Sequence, residues 1–285
     1  MKVVVHIAFY YRKDRLAYLE KIIEEYNTFS QQVDIFIHTN QKFQFRKQIS
    51  YLNGNIKIIR HRLLNYIHYS GRYYYLTWQP RKLLKKQLQD YDIFIYSEDD
   101  ILIQERTFNY WLRNKNSLIR NDANVGFLRV ESKDGEDFLS DITSFFSSKV
   151  EVDNKDYVVN DINPYCAFWI CDKDVLKKWI ESDFYNLKKV HGYKERNSSL
   201  LRKLGLNNNE RLSYLAYNKK NKRIDSAMEA SAYGLNYPKL NWYKYTLIEL
   251  ENNKIIEDCK VYHLPNNYVN EDETEMGTVK FEDLY

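Results

Sequence analysis

Apolar runs and helical spacings alternate along the first hundred residues of the chain. Residues 3–9 form an apolar run typical of a strand covered on both faces, and residues 33–38, 56–60 and 91–96 predict three further strands. Residues 14–26 place apolar side chains at helical spacing, and residues 78–88 predict a second helix with Pro80 in its first turn. The alternation predicts an α/β fold with a mostly parallel central sheet flanked by helices.

The second half of the chain has a less regular pattern. Its apolar segments predict a helix over 107–120, a strand over 125–130, a buried strand over 165–171, a helix over 172–182 and a helix over about 224–233. Asp172 is the expected N-cap of one helix and Gly234 the expected C-cap of the last. Residues 131–163 are polar, and we expect mainly loops there. No repeat or flexible linker divides the chain, which favours a single domain.

The net charge and the cysteine content limit which partners the protein is expected to bind and in which compartment it is expected to lie. The net charge of +4 is small for 285 residues and is compatible with an anionic substrate or loose contact with an acidic membrane surface. Basic residues form no stripe, so we expect no nucleic-acid partner. Residues 3–9 are too short for a signal peptide, and no apolar stretch approaches the roughly 20 residues that span a bilayer. The three cysteines suit buried free thiols, and we expect a cytoplasmic protein.

An acidic cluster of three residues, Glu98-Asp99-Asp100, comes directly after the apolar run at 91–96. Open α/β sheets bind their ligands at the carboxyl ends of such strands. Three adjacent carboxylates repel one another, and a hard divalent cation relieves that repulsion. The cluster therefore predicts a site for Mn²⁺ or Mg²⁺ that substrate phosphates complete. A solvated acidic turn is the alternative.

The order of these motifs resembles that of the GT-A glycosyltransferases. Glu98-Asp99-Asp100, followed by the apolar residues 101–103, is similar to their DXD-type motif. His263 stands near the C-terminus, where these enzymes bring a histidine back to the metal or the diphosphate. The resemblance implies that Asp100 and His263 bind the metal and that Glu98 and Asp99 help to bind the donor. A structural role is the alternative for His263.

The resemblance also implies a GT-A (Rossmann-like) fold in one domain over 1–285. Residues 1–103 would bind the nucleotide sugar, and residues 104–285 would bind the acceptor and carry out catalysis. Further candidates for donor binding follow the first two strands or precede the acidic strand: Tyr10, Tyr11, Arg12, His38, Asn40, Arg72, Trp78 and Arg81. Aromatic rings stack on bases or sugars, and guanidinium groups bind phosphates. Core packing is the alternative for Trp78, and a solvated surface for the arginines.

Two carboxylates, Asp225 and Glu229, lie four positions apart and so on one face of a predicted helix. The resemblance places the catalytic carboxylate here, where it would take the proton of an acceptor hydroxyl and give inversion at the anomeric carbon. Small and apolar neighbours favour Glu229 and leave Asp225 open. A retaining reaction and a solvated helix face are alternatives. Arg129 and Glu131 share one face of a strand and are candidates for acceptor binding, or for a structural salt bridge.

These residues predict a metal-dependent glycosyltransferase. It would move a sugar from a nucleoside-diphosphate sugar to a hydroxyl of a glycan, a lipid-linked or a protein-linked acceptor. A sugar nucleotidyltransferase is one alternative, but it normally needs a glycine-rich first loop, and only Gly54 and Gly71 occur before residue 126. A catalytically inactive protein that binds carbohydrate or nucleotide is the other.

Overall fold

A computed structural model gives the structure of residues 1–41, 55–62, 72–186, 217–218, 223–224, 227–235, 243–270 and 275–285. The α-helices in these ranges are α1 (Leu16–Thr28), α2 (Arg81–Gln87), α3 (Glu105–Arg120), α4 (Lys173–Glu181) and α5 (Ala227–Ala230). The strands in these ranges are β1 (Lys2–Phe9), β2 (Gln32–Thr39), β3 (Ile56–Arg60), β4 (Ile93–Glu98), β5 (Ile101–Leu102), β6 (Ala123–Val125), β7 (Leu128–Lys133), β8 (Glu136–Leu139), β9 (Lys149–Val152), β10 (Lys155–Val159), β11 (Phe168–Asp172), β12 (Tyr217–Asn218), β13 (Arg223–Ile224), β14 (Tyr245–Glu251), β15 (Lys254–Ile255) and β16 (Lys260–His263).

The chain divides into two compact units, each assembled from three stretches of sequence. Unit 1 comprises Met1–Leu16, Gln31–Asp99 and Ile170–Tyr233. Unit 2 comprises Ala17–Ser30, Asp100–Trp169 and Gly234–Tyr285. The single domain and its functional halves, expected from the sequence, stay predictions.

Unit 1 contains a five-stranded sheet, among its described residues, in the order β11-β4-β1-β2-β3. Within this order, β4, β1, β2 and β3 pair in parallel with one another. The apolar runs form these strands because both faces of the central strand are covered: from Val3 to Phe9 its residues are buried without exception. The fold is therefore α/β with a mostly parallel central sheet, and the prediction of fold class is confirmed.

Helix α4 follows β11 directly and packs against β4 in the same unit. The side chain of Asp172 accepts a hydrogen bond from the backbone N–H of Val175 at 3.0 Å, which caps the first turn. Leu176 and Trp179 form the buried face of the helix. The predicted helix and its N-cap are both confirmed.

Unit 2 is mostly antiparallel and, in its described part, holds two sheets. One has the order β15-β14-β10-β9, with β6 added in parallel to β14, and the other has the order β5-β16-β7-β8. Gly126 separates β6 from β7 at a close approach to β14. A Cβ there would lie 2.7 Å from Cγ1 of Ile248 and 3.1 Å from the carbonyl oxygen of Leu247, so no larger residue fits without a shift.

The polar segment 131–163 does not form mainly loops as expected, because strands β8, β9 and β10 lie within it. Tight turns connect them to their partners. Asp134 and Gly135 have φ angles of 54° and 83°, and Asp153 and Asn154 have φ angles of 48° and 61°. Positive φ at both central residues is typical of hairpin turns that match the strand twist. Strands β8 and β9 are largely half-buried or exposed, so no apolar run marks them.

Three other element boundaries differ from the sequence prediction. Helix α2 begins at Arg81, after a 3-10 helix over Arg72–Trp78, with Pro80 at its N-cap. Strand β11 begins at Phe168 because Ala167 has a φ of 53°. The last helix is only the single turn α5, since Ile224 already belongs to strand β13.

The three cysteines are free and buried, and burial raises the pKa of Cys166 to about 12. Among the described residues, none of the helices has the length and apolar character required to cross a membrane. The cytoplasmic location stays a prediction.

Candidate functional site

Three neighbouring strands of unit 2 bring Asp100, Glu131 and His263 together. Strand β16 lies between β5 and β7. His263 is the register partner of Ile101, the residue after Asp100, and the N–H of Leu264 donates to the carbonyl oxygen of Asp100 at 2.9 Å. On the other side, Tyr262 is the partner of Val130, the residue before Glu131. The strand register therefore sets the positions of all three side chains.

The imidazole of His263 lies between the two carboxylates. Its Nε2 is 3.3 Å from Oδ2 of Asp100, and its Nδ1 is hydrogen-bonded to Oε1 of Glu131. The other oxygen of Glu131 accepts a hydrogen bond from the backbone N–H of Val269 at 2.9 Å. Asp100 and His263 are each 7% exposed and Glu131 is 0% exposed. The imidazole and Asp100 thus keep a small opening to solvent, and Glu131 has none.

This arrangement controls the charge of His263. Burial alone lowers the pKa of the imidazole, but the hydrogen bonds to Asp100 and Glu131 outweigh it, so the pKa of His263 is raised. In the neutral ring, Nδ1–H donates to Glu131, and the lone pair of Nε2 then faces an oxygen of Asp100. Two acceptors in contact are stabilised by a positive charge between them, which a proton or a cation supplies.

The donor set fits a hard divalent cation. Two ligands at right angles, each at about 2.1 Å from the ion, lie roughly 3 Å apart, close to the separation of Oδ2 and Nε2. Glu131 lies on the far side of the imidazole and does not converge with the other two. Within the described ranges, no group of three or more His, Cys, Asp or Glu residues is arranged to hold a metal. A cation here would depend on water and on substrate oxygens for its remaining ligands.

The other two acids of the cluster belong to unit 1. Glu98 ends strand β4, half-buried, as the register partner of Ala8 in β1. Asp99 is 5% exposed and forms an ion pair with Arg15, with Nε and Oδ2 at 2.9 Å. Asp99 thus has a positive partner within the protein, whereas the partner of Asp100 is a histidine whose charge depends on its protonation.

The comparisons with known proteins are limited to solved structures of low identity. None of the family models matches the chain, and no curated protein matches it. One similar structure is TarS 1–349 of S. aureus in complex with UDP-GlcNAc, with 13% identity and a TM-score of 0.36 over 62% of this chain and 47% of that one. The chain therefore spans about half the length of that TarS structure. Another is the galactosyltransferase LgtC in complex with donor and acceptor sugar analogs, with 12% identity and a TM-score of 0.38 over 81% of this chain and 69% of that one. At these TM-scores the similarity carries no conclusion about function.

The carboxyl ends of β1 and β2 bring together part of the predicted donor-binding set. The backbone N–H of Tyr11 donates to Oδ1 of Asn40 at 2.8 Å, and Tyr10 and Tyr11 are half-buried. Arg12 is exposed and pairs with Asp14 at 2.5 Å. Two half-buried tyrosines and the side chain of Asn40 therefore lie at this end of the parallel sheet.

His38, the remaining predicted donor contact on β2, is wholly buried in a row of three histidines. Its Nε2 is 2.8 Å from Nδ1 of His6, and its Nδ1 is 2.8 Å from Nε2 of His61. Burial lowers the pKa of His6 to about 3 and that of His61 to about 4, and it lowers the pKa of His38 well below the usual value. Around neutral pH the three rings are neutral and hydrogen-bonded to one another, so His38 is not open to a donor.

Trp78 and Arg81 are packed inside unit 1. The guanidinium of Arg81 lies 3.7 Å from the centre of the Trp78 ring and donates to the carbonyl oxygens of Tyr185, at 3.2 Å, and Ser231, at 3.0 Å. Trp78 is 4% exposed and Arg81 is 7% exposed. Core packing, the alternative for Trp78, describes both residues better than phosphate binding. The side chain of Arg72 lies outside the described residues.

Glu229 is half-buried in the single turn α5. The segment after it is held by two buried hydrogen bonds, from Arg81 to the carbonyl of Ser231 and from Nε1 of Trp179 to the carbonyl of Tyr233 at 2.8 Å. Asp225 lies outside the described residues, so its predicted pairing with Glu229 on one helix face stays a prediction.

The two predicted acceptor contacts, Arg129 and Glu131, are both engaged within unit 2. Arg129 forms an ion pair with Asp141 and lies over the ring of Tyr268, 5.7 Å from its centre. Burial by itself lowers the pKa of Arg129, but the charge of Asp141 outweighs it and raises that pKa. A salt bridge, the alternative for Arg129, is present, although Glu131 is not its partner. The contact between Glu131 and His263 was not predicted from the sequence.

Proposed function

We propose that this chain transfers a sugar from a nucleoside-diphosphate sugar to an acceptor hydroxyl, as a GT-A-type glycosyltransferase whose divalent cation is held by Asp100 and His263. One observation carries the proposal: Oδ2 of Asp100 and Nε2 of His263 are 3.3 Å apart, at the spacing of two ligands of one cation. These residues stand far apart in the sequence, and the pairing of β5 with β16 brings them together.

The cation would be Mn²⁺ or Mg²⁺, and when bound it would neutralise the charge that develops on the leaving diphosphate. Asp100 would supply a carboxylate oxygen, the ligand type that suits Mg²⁺ and Mn²⁺, and His263 would supply an imidazole nitrogen. The nucleotide base and ribose would lie against Tyr10, Tyr11 and Asn40, at the carboxyl ends of β1 and β2, where open α/β sheets bind ligands.

The acceptor hydroxyl must lose a proton as it attacks the anomeric carbon. We propose that Glu229 accepts this proton, with Asp225 as the alternative base. Attack by the activated hydroxyl then inverts the anomeric carbon. Glu131 is a poor base because it has no exposed surface and both of its oxygens already accept hydrogen bonds. A retaining reaction would need neither residue as a base, and variants of these two residues distinguish the two outcomes. The acceptor is a glycan, or a lipid-linked or protein-linked sugar, in the cytoplasm.

The test is the release of nucleoside diphosphate by the full-length protein from a panel of sugar nucleotides, without acceptor. We expect slow hydrolysis of one donor with Mn²⁺ or Mg²⁺ and a near-complete loss of hydrolysis with a strong chelator or with Asp100→Asn. Asp174→Asn, which removes an exposed carboxylate from α4, is the matched control and should retain activity.

Three results would contradict the proposal. Undiminished hydrolysis in the chelator would show that the reaction needs no divalent cation. A donor that binds and stays intact would indicate a binding protein. Formation of a nucleoside triphosphate from sugar nucleotide and pyrophosphate would indicate a nucleotidyltransferase.

A further inference from the structure

We propose that Glu131 is a positioning residue that fixes the tautomer and the orientation of His263, so that the Nε2 lone pair of His263 is presented beside Asp100 to a divalent cation. This inference rests on the proposed function, because it takes the pair Asp100 and His263 as the cation site. It replaces the acceptor-binding role that the sequence predicts for Glu131.

Both oxygens of Glu131 have partners, which determines what the carboxylate can do. Oε1 is bonded to Nδ1 of His263, and Oε2 accepts from the N–H of Val269 at 2.9 Å. The side chain is 0% exposed, so no water competes for either oxygen. A carboxylate held at both oxygens cannot turn without breaking one of these hydrogen bonds, and an unpaired buried charge is costly.

The tautomer of His263 follows from the chemistry of Glu131. An ionised carboxylate only accepts hydrogen bonds, so Nδ1 of His263 must carry a hydrogen. With Nδ1–H held by Glu131, the hydrogen on Nε2, which lies 3.3 Å from Oδ2 of Asp100, is the one that a cation can replace, and the lone pair of Nε2 then faces that cation. The ring of Tyr268, with its centre 5.6 Å from that of His263, packs beside the imidazole and limits its rotation. A carboxylate that orients a metal-binding histidine in this way typically raises metal affinity by 10- to 100-fold.

The exchange Glu131→Gln tests this with almost no change of shape. A glutamine side chain has one accepting and one donating end, but His263 Nδ1–H and Val269 N–H both require an acceptor. If the amide oxygen stays with Val269, the amide NH₂ faces Nδ1 and favours the opposite tautomer, in which Nε2 carries the hydrogen and no longer offers its lone pair. The variant should therefore weaken cation binding even if the fold is unchanged.

Two measurements on the full-length chain decide the matter. The first is Mn²⁺ affinity by calorimetry, with Mn²⁺ alone and with Mn²⁺ plus pyrophosphate, for wild type, Glu131→Gln and Glu249→Gln. Glu249 is the matched control because it is a largely buried carboxylate of unit 2 that bonds Asn114 and Lys155. We expect Glu131→Gln to weaken Mn²⁺ binding by about 10- to 100-fold and Glu249→Gln to leave it unchanged.

The second measurement is the tautomer of neutral His263 in metal-free wild type, read from ¹⁵N shifts at the alkaline end of a pH series. We expect the Nδ1–H form, and this measurement needs no variant, so it decides the inference if Glu131→Gln does not fold. Wild-type affinity in a folded Glu131→Gln, or the Nε2–H form in wild type, would overturn the inference and leave the proposed function standing. A wild type that binds no Mn²⁺ with or without pyrophosphate would overturn both.

Discussion

Nε of Arg15 lies 2.9 Å from Oδ2 of Asp99, so the middle acid of the acidic cluster already has a positive partner within unit 1. Asp100, the next residue, instead faces His263 in unit 2. Adjacent carboxylates of one motif therefore have different electrostatic surroundings. Asp99 contacts a permanently charged arginine, whereas Asp100 contacts a histidine whose charge depends on its protonation.

This difference predicts that the two aspartates can be separated by mutation. Asp100→Asn should remove most of the Mn²⁺ affinity and change stability little. Asp99→Asn should leave Mn²⁺ affinity near wild type but lower the free energy of unfolding by about 1–3 kcal/mol, because Arg15 loses its carboxylate. Calorimetry with Mn²⁺ and urea unfolding of the same samples measure both effects. Equal losses of Mn²⁺ affinity in the two variants would place Asp99 in the cation site as well.

The centre of the main sheet could be predicted from the sequence because β1, β2 and β4 are buried along most of their length. The runs at 3–9 and 91–96 contain hardly any polar residue, and the structure places them side by side as β1 and β4. Strands β8 and β9 are different, since at least half of their residues are not buried and their composition resembles that of loops. The Asp134-Gly135 and Asp153-Asn154 turns were the signal that could have revealed these hairpins.

The candidate site could be predicted only in part, because some of its contacts depend on which strands pair. Asp100 and His263 were identified from the order of motifs, which is a property of the sequence. The contact of Glu131 with His263 depends on the parallel pairing of β7 with β16, and the residue pattern alone does not specify which strands pair. The histidine row depends in the same way on the register of β1, β2 and the segment after β3.

Arg81 should contribute to stability rather than to donor binding. Its guanidinium is stacked on Trp78 and donates to the carbonyl oxygens of Tyr185 and Ser231, and a lysine could reproduce neither the planar stacking nor the two directed bonds. Arg81→Lys should lower the free energy of unfolding by about 2–3 kcal/mol, from one or two lost bonds and the lost stacking. Lys85→Ala, at an exposed position of the same helix, should change it little. Urea unfolding measures this difference. An Arg81→Lys protein with wild-type stability and weakened donor binding would instead support the predicted contact of Arg81 with phosphate.

The histidine row should make the protein sensitive to mild acid. Its three rings have lowered pKa values in the folded chain, about 3 for His6 and about 4 for His61, whereas an unfolded histidine titrates near 6.5. Between those values the unfolded chain binds more protons, so stability falls as pH decreases below about 6.5, by up to about 1.4 kcal/mol per pH unit for each such histidine.

The variant His61→Gln isolates this effect from the titration of carboxylates. It removes one of the three titrating groups but keeps a side chain that can bond His38. Urea unfolding at several pH values between about 7.5 and 5 should give a shallower loss of stability in the variant than in wild type. Identical pH slopes would mean that His61 titrates normally in the folded protein.

The last prediction concerns which carboxylate acts as the catalytic base. General-base catalysis contributes about 10²- to 10⁴-fold, whereas loss of a solvated carboxylate costs almost nothing in rate. Glu229→Gln keeps the shape of the side chain and removes its proton acceptor, so transfer should slow by at least roughly a hundredfold while donor affinity stays near wild type. Asp225→Asn should have a milder effect, and Glu181→Gln, at an exposed position of α4, serves as the control.

The readout is steady-state transfer with the identified donor, together with the anomeric configuration of the product by NMR. A stronger effect of Asp225→Asn would move the base to that residue. Full activity in both variants, with retained configuration in the product, would show that the reaction needs neither Glu229 nor Asp225 as a base. Inversion without an effect of either variant would place the base elsewhere in the chain, and Glu131 would then be a poor choice because both of its oxygens are already occupied.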